Sequence, residues 1–185
     1  MEKDLVVADL MERYGTKVLH LAYSFVRNRA TAEDLAQEIF IKCYKQLDSF
    51  KGDSSLQTWL YRVAVNHCKD HVKSWHYRRV QASEYVSSLI KGQEHGPEEH
   101  FLQKAKRDAL IEEVLRLPMK YREVIILAYF HELTMNEIGE VCGVNVNTVK
   151  SRASKAKELL RKSMAERSGW DGEEIEGSQR KNVQG

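Results

Sequence analysis

Six basic side chains, Lys150, Arg152, Lys155, Lys157, Arg161 and Lys162, crowd into residues 150–162 against the single acid Glu158. Ser151 and Ser154 stand among them. Cations that neutralise phosphate, interleaved with short hydroxyls that reach base edges, are the side-chain chemistry of DNA recognition. A solvated basic face on an ordinary core helix has the same composition, so charge alone does not separate the two. A second candidate is KSWHYRR, where Trp75 and Tyr77 alternate with Lys73, Arg78 and Arg79. Rings for stacking beside cations for phosphate suit single-stranded DNA. An amphipathic helix end with long bases lying along it has the same pattern, and both readings stand. Glu33, Asp34, Gln37 and Glu38 form a third group. In a first helical turn, acids complement the helix dipole, and periodicity alone favours that over a docking surface for a basic partner. His67 and His71 are four apart, a metal-ligand spacing. Cys68, Lys69 and Asp70 between them do not make the HExxH arrangement, so no metal is expected.

The elements that would position these groups decide among the readings. Thr134 followed by Glu137 is a capping box that starts a helix. Met135, Ile138 and Val141 share one face of it. Gly143 supplies a left-handed stop, and Asn145 caps a second helix from Val146. In that helix Val149, Ala153, Ala156 and Leu160 recur at four-three-four spacing and form a buried stripe. Lys150, Ser151, Ser154 and Lys155 lie opposite, with Arg152 on the flank. Helix, tight glycine turn and helix outline a helix-turn-helix whose second member enters a major groove.

Across all 185 residues the net charge is only +2, with 30% charged residues, so any nucleic-acid signal is local. Two prolines, ten glycines and no alternating apolar pattern point to an all-α chain. No apolar run reaches the roughly 18 residues of a membrane span, and the charged stretch MEKDLVVADLMERYG is not a signal peptide. Cys43, Cys68 and Cys142 are odd in number and far apart, which fits reduced core residues in a cytoplasmic protein. No phosphate loop, nucleophile–base pair or acid pair stands out, so no enzyme, cofactor or small-molecule substrate is expected.

In chain order, a first helix spans about Leu5 to Val26, with Leu10, Met11, Tyr14, Val18, Leu21, Ala22 and Phe25 inward. Asn28 to Ala30 turn, and Thr31 with Asp34 caps a second helix burying Leu35, Ala36, Ile39, Phe40, Cys43, Tyr44 and Leu47. DSFKGD is a loop. Ser54 with Gln57 caps a long helix reaching about Arg79, whose inner face is Trp59, Leu60, Val63, Ala64, His67 and Cys68. Arg62, Asn66, Lys69, Asp70 and Lys73 point elsewhere. Residues 80–100 carry acids, serines and glycines and read as a flexible linker, leaving the flanking units without a fixed relation. A helix resumes near Glu99, Pro118 opens the next, and Tyr121, Val124, Ile125, Leu127, Ala128 and Phe130 build it. Residues 167–185 read as a disordered tail. The expected architecture is therefore two small helical domains, 1–79 and 101–166, the second containing the helix-turn-helix.

Four stretches, TAEDLAQEIFIKCYKQLDSF, SSLQTWLYRVAVNHCKDHVKSW, LPMKYREVIILAYFHELTMNEIGEV and NVNTVKSRASKAKELLR, closely resemble the extracytoplasmic-function (ECF) sigma factors of bacterial RNA polymerase. Two unrelated motif sets agree, in the same order, over about Leu10 to Arg161. The resemblance implies that the first domain is sigma region 2, which binds the polymerase clamp and opens the −10 element. It implies that the second is region 4, which reads the −35 element. Glu33, Asp34, Gln37 and Glu38 would then bind polymerase. Phe50, Lys51, Gly52 and Asp53, with Asn66, would hold the melted −10 strand and a flipped base. Thr148, Lys150, Ser151, Arg152, Ser154 and Lys155 would meet the −35 DNA. The implied partners are core RNA polymerase, promoter DNA and a cognate anti-sigma factor that could hold the protein at a membrane. Leu56 stands where the family favours an aromatic, and Asn145 and Asn147 replace its usual Ser and Gly. The alternative is a stand-alone helix-turn-helix regulator with a sensing or dimerising first domain.

Overall fold

The computed structural model describes residues 2–82 and 101–168, with side chains for 3–74 and 108–166. Apolar residues at three- and four-residue intervals fold into helices. They are α1 (Glu2–Val26), α2 (Arg29–Gln46), α3 (Leu56–Ala82), α4 (Phe101–Arg116), α5 (Met119–Tyr129), α6 (Met135–Cys142) and α7 (Val146–Ser168). A 3₁₀ turn, Leu47–Ser49, follows α2, and no strand occurs among the described residues. The expected linker from residue 83 onward and nearly all of the expected tail lie outside the described residues. α3 itself runs through Val80 to Ala82, into the stretch expected to be linker.

Helix starts differ from expectation where two cap candidates compete. α1 stops at Arg27, whose φ of +53° is left-handed and whose N–H donates to the Tyr23 carbonyl at 2.8 Å. Asn28 then caps α2 directly, its side chain accepting from the Thr31 N–H at 2.9 Å. α2 therefore begins before Thr31, and Asn28 to Ala30 are not a free turn. Asn is an equal or better cap than Thr. Likewise Ser55, not Ser54, caps α3, accepting from the Thr58 N–H at 3.0 Å. Pro118 precedes α5 in extended geometry, as its fixed φ and missing N–H favour.

α1, α2 and α3 pack around Leu10, Val18, Leu21, Leu35, Ile39, Leu60 and Ala64; α4 to α7 pack around Val114, Val124, Leu127, Ile138, Val149, Ala156 and Leu160. Each fully buried aliphatic side chain contributes about 1.5–3 kcal/mol. These buried residues form one contiguous cluster, with α6 lying against α3. The two halves thus have a defined relation in this structure, contrary to the expectation of none. Met11, Tyr44 and Phe130, expected inside, are substantially exposed. Tyr61 and Val65 are fully buried although they lie off the expected inner face of α3, because the second half covers that side. Cys43, Cys68 and Cys142 are free thiols whose burial raises their pKa to about 12, which fits inert core residues.

Candidate functional site

The helix-turn-helix forms as its residue types dictate. The Thr134 N–H donates to Glu137 Oε2 at 2.8 Å and the Glu137 N–H to Thr134 Oγ1 at 3.3 Å, closing the capping box. Burial works against the Glu137 charge, but hydrogen bonds from the Thr134 backbone and hydroxyl and from Thr58 outweigh it. The carboxyl is held below its ordinary range. Gly143 ends α6 at φ +68°, and the Val144 N–H returns to the Gly139 carbonyl at 3.0 Å. A Cβ on Gly139 would lie 2.8 Å from the Val144 carbonyl oxygen. The turn can fold back onto α6 only because that position is glycine. Asn145 Oδ1 accepts from the Thr148 N–H at 2.8 Å and from its hydroxyl at 3.0 Å, starting α7.

In α7, Val149, Ala153, Ala156, Leu160 and Met164 are buried. Lys150, Ser151, Ser154 and Lys155 are exposed together on the opposite arc, and Thr148 is half-buried at its start. Lys155 pairs with Glu158 at 2.6 Å, and Lys157 lies 5.9 Å from the Tyr129 ring centroid. An open groove beside Lys150 and Ser154 is floored by Met135 and Ala153. Arg152 does not join this arc. It turns to α5, where its Nη1 lies 3.2 Å from Glu123 Oε1.

In the first half, Glu33, Asp34, Gln37 and Glu38 are all exposed along the outer face of α2. Arg29 pairs with Glu33 at 2.8 Å, and His67 Nε2 lies 2.7 Å from Glu38 Oε2. His67 thus meets a carboxylate on α2. Lys51, Gly52 and Asp53 form an exposed loop with Gly52 at φ +77°. Phe50 is half-buried, its ring 5.4 Å from that of Trp59. Asn66 is exposed on α3. The side chains of Trp75, Tyr77, Arg78 and Arg79 lie outside those described.

A polar seam joins the halves. Arg62 meets Glu140 at 3.4 Å, Lys69 meets Glu123 at 2.8 Å, and Arg27 meets Glu112 at 3.4 Å. Thr58 donates to Glu137 at 3.2 Å. Tyr61 and His131 share a buried hydrogen bond at 3.1 Å. Burial, with Lys17 and His20 nearby, lowers the His131 pKa to about 4. Sequence reasoning missed Glu123 and His131, which are 3% and 1% exposed. Their signal was an ionisable residue set inside or beside the apolar run of α5.

The architecture is all-helical, and α6, the Gly143 turn and α7 form a helix-turn-helix. Residues 10–79 match the Sigma-70 region 2 family and residues 107–160 the Sigma-70, region 4 family. The ECF RNA polymerase sigma factor SigW of Bacillus subtilis is 35% identical, over 85% of this chain and 88% of that protein. The ECF RNA polymerase sigma-E factor of Escherichia coli K12 is 33% identical, over 82% of each. Among solved structures, the sigma factor RpoE of Bartonella quintana in complex with the anti-sigma factor NepR superposes with a TM-score of 0.66. It is 25% identical, and the match covers 85% of this chain and 95% of that one. The chain belongs to the ECF group of sigma-70 family RNA polymerase sigma factors, proteins that bind core polymerase and direct it to promoters.

Proposed function

We propose that this sigma factor divides its work as residues 1–79 for core binding and −10 opening and 101–166 for −35 reading, joined by the 80–100 linker and followed by the 167–185 tail. The observation that carries the reading is the two-faced α7. Its apolar stripe is fully used in packing, and the arc of Lys150, Ser151, Ser154 and Lys155 is left outward. A helix anchored on one side and polar on the other suits a major groove, with Thr148 at its leading end. Arg152, held by Glu123, supports α7 and serves the −35 element less directly than its neighbours.

The exposed Glu33, Asp34, Gln37, Glu38 row faces a basic polymerase surface. Phe50, Lys51, Gly52, Asp53 and Asn66 receive the melted −10 strand, the Phe50 ring being kept in place by Trp59. The protein performs no catalysis and works in the cytoplasm beside polymerase. A cognate anti-sigma factor, membrane-bound or not, is its expected restraint. Run-off transcription with core polymerase on a genomic library tests this reading. Discrete start sites are expected, together with loss of core binding in Asp34→Lys, Glu38→Lys protein that is still folded. Unchanged core affinity in a pull-down would remove α2 from the interface.

A further inference from the structure

α1 carries Lys17, His20 and Ser24 at three- and four-residue steps, so they share one face of the helix. Beside that face α4 and α5 bring Val114, Leu115 and Ile126, all buried. These residues line a cavity of about 380 Å³, with His131 in its wall. Phe130 and Tyr23 also line it, and both rings stay largely exposed to solvent. Apolar walls, a few polar groups and a volume of several hundred Å³ are the features of a site for a small organic molecule. The polar groups are of one kind. No Asp or Glu lines the cavity among the described residues. Glu113, next to Val114 on α4, is taken up by Arg116 and Ser163.

His131 supplies the deciding observation. It is 1% exposed, and its Nε2 has no hydrogen-bond partner among the described residues. The other ring nitrogen, Nδ1, lies 3.1 Å from the Tyr61 hydroxyl. That hydroxyl has no second partner among the described residues, and burial keeps it protonated. Tyr61 therefore donates to Nδ1, and the hydrogen of the neutral imidazole sits on Nε2. Tyr61 is not part of the cavity wall, so the Nε2 edge of the ring is the one turned to the cavity. Ser24 is already engaged, its hydroxyl donating to the Leu21 carbonyl at 2.6 Å. What remains is a buried N–H donor, the Lys17 ammonium and apolar walls, with no carboxylate to repel an anion. We propose that this cavity binds an apolar monocarboxylate, its head held by His131 Nε2–H and Lys17 and its body by Val114, Leu115 and Ile126. A donor buried without a partner is costly, and a carboxylate gives it a bond stronger than a neutral acceptor would.

The test uses the full-length protein with decanoate as the probe and decanol as its uncharged counterpart, both kept below the concentrations at which they aggregate. Calorimetric titration is expected to show saturable, one-to-one binding of decanoate, about ten-fold tighter than that of decanol. Because the ligand binds only the folded chain, decanoate should also raise the unfolding midpoint in proportion to its occupancy. Three variants locate the site. Lys17→Met changes a half-buried surface residue and should weaken decanoate about ten-fold while leaving decanol unchanged. His131→Phe keeps a ring in place, removes the donor and should have the same selective effect. Ile111→Trp, a larger side chain in the cavity wall, should abolish binding of both probes. Circular dichroism confirms that each variant is folded, and Lys17→Met keeps the test decisive if either buried-site variant is not. Absence of saturable decanoate binding to the wild type overturns the proposal. So does equal affinity for decanoate and decanol, or decanoate binding that is unchanged in Lys17→Met or in folded His131→Phe or Ile111→Trp protein.

Discussion

α7 and α3 are both long helices rich in bases, yet they use their faces differently. α7 buries one stripe, Val149, Ala153, Ala156 and Leu160, and leaves the opposite arc to solvent. α3 buries Trp59, Leu60, Ala64 and Cys68 against its own half and also Tyr61 and Val65 on the side facing the other. Its bases Arg62 and Lys69 are tied to acids across the seam. In α7 the residues that pack and the residues left to solvent, proposed above to meet DNA, are separate. In α3 the surface that packs against the second half adjoins Asn66, proposed above to meet the melted strand.

The largest expected effect tests the one-sided packing of α7. Leu160→Ala removes a side chain that is 3% exposed, and such truncations cost about 2–5 kcal/mol. Urea unfolding followed by circular dichroism measures it. A loss below about 1 kcal/mol would mean that α7 is held by something other than its stripe.

The next tests the seam under α3. His131 is buried beside Tyr61, with Lys17 and His20 of α1 facing it, and its pKa falls from 6.5 to about 4. Between those values the unfolded chain binds the proton and the folded chain does not, so stability rises with pH across that window. It is fully present above pH 6.5 and is lost as pH falls towards 4. The contribution is up to about 3 kcal/mol. Carboxylates such as Glu137 add an acid loss of their own, so the informative quantity is wild type minus His131→Phe. Parallel stability–pH curves for the two proteins would show that the seam does not hold His131 neutral.

The same contrast explains what the sequence made legible. The helix-turn-helix was readable because each signal is local: Thr134 with Glu137, Gly143, Asn145 and a four-three-four stripe all act within a turn or two. The outer arc of α7 followed by geometry. Asn28 and Ser55 were missed as caps because neighbouring Thr31 and Ser54 carry the same chemistry one to three positions away, and local pattern cannot rank them. The second buried side of α3 was not readable. Tyr61 and Val65 break no rule of a one-faced helix until a partner far along the chain arrives. Glu123 is the sharpest case. Its bases, Lys69 and Arg152, lie on two other helices, so nothing adjacent in sequence marks it as the junction between halves.

The smallest change in stability gives the cleanest separation of the two helices. Lys150 is exposed on α7 and has no role in its packing, so Lys150→Ala should leave unfolding within about 0.5 kcal/mol of wild type. Its effect should appear in −35 binding: about 1–3 kcal/mol with altered preference at one position if it meets a base edge, or a uniform loss with a salt slope lower by about one if it meets phosphate. A library of randomised −35 elements fused to a fixed −10 element distinguishes these. Lys69→Ala on α3 should not behave this way. Removing it leaves the buried Glu123 carboxylate with Arg152 alone, so stability falls and the halves loosen together. If Lys150→Ala destabilised the fold as much as Lys69→Ala, the division between a helix whose recognition face is free of structural duty and one whose face is shared would not hold.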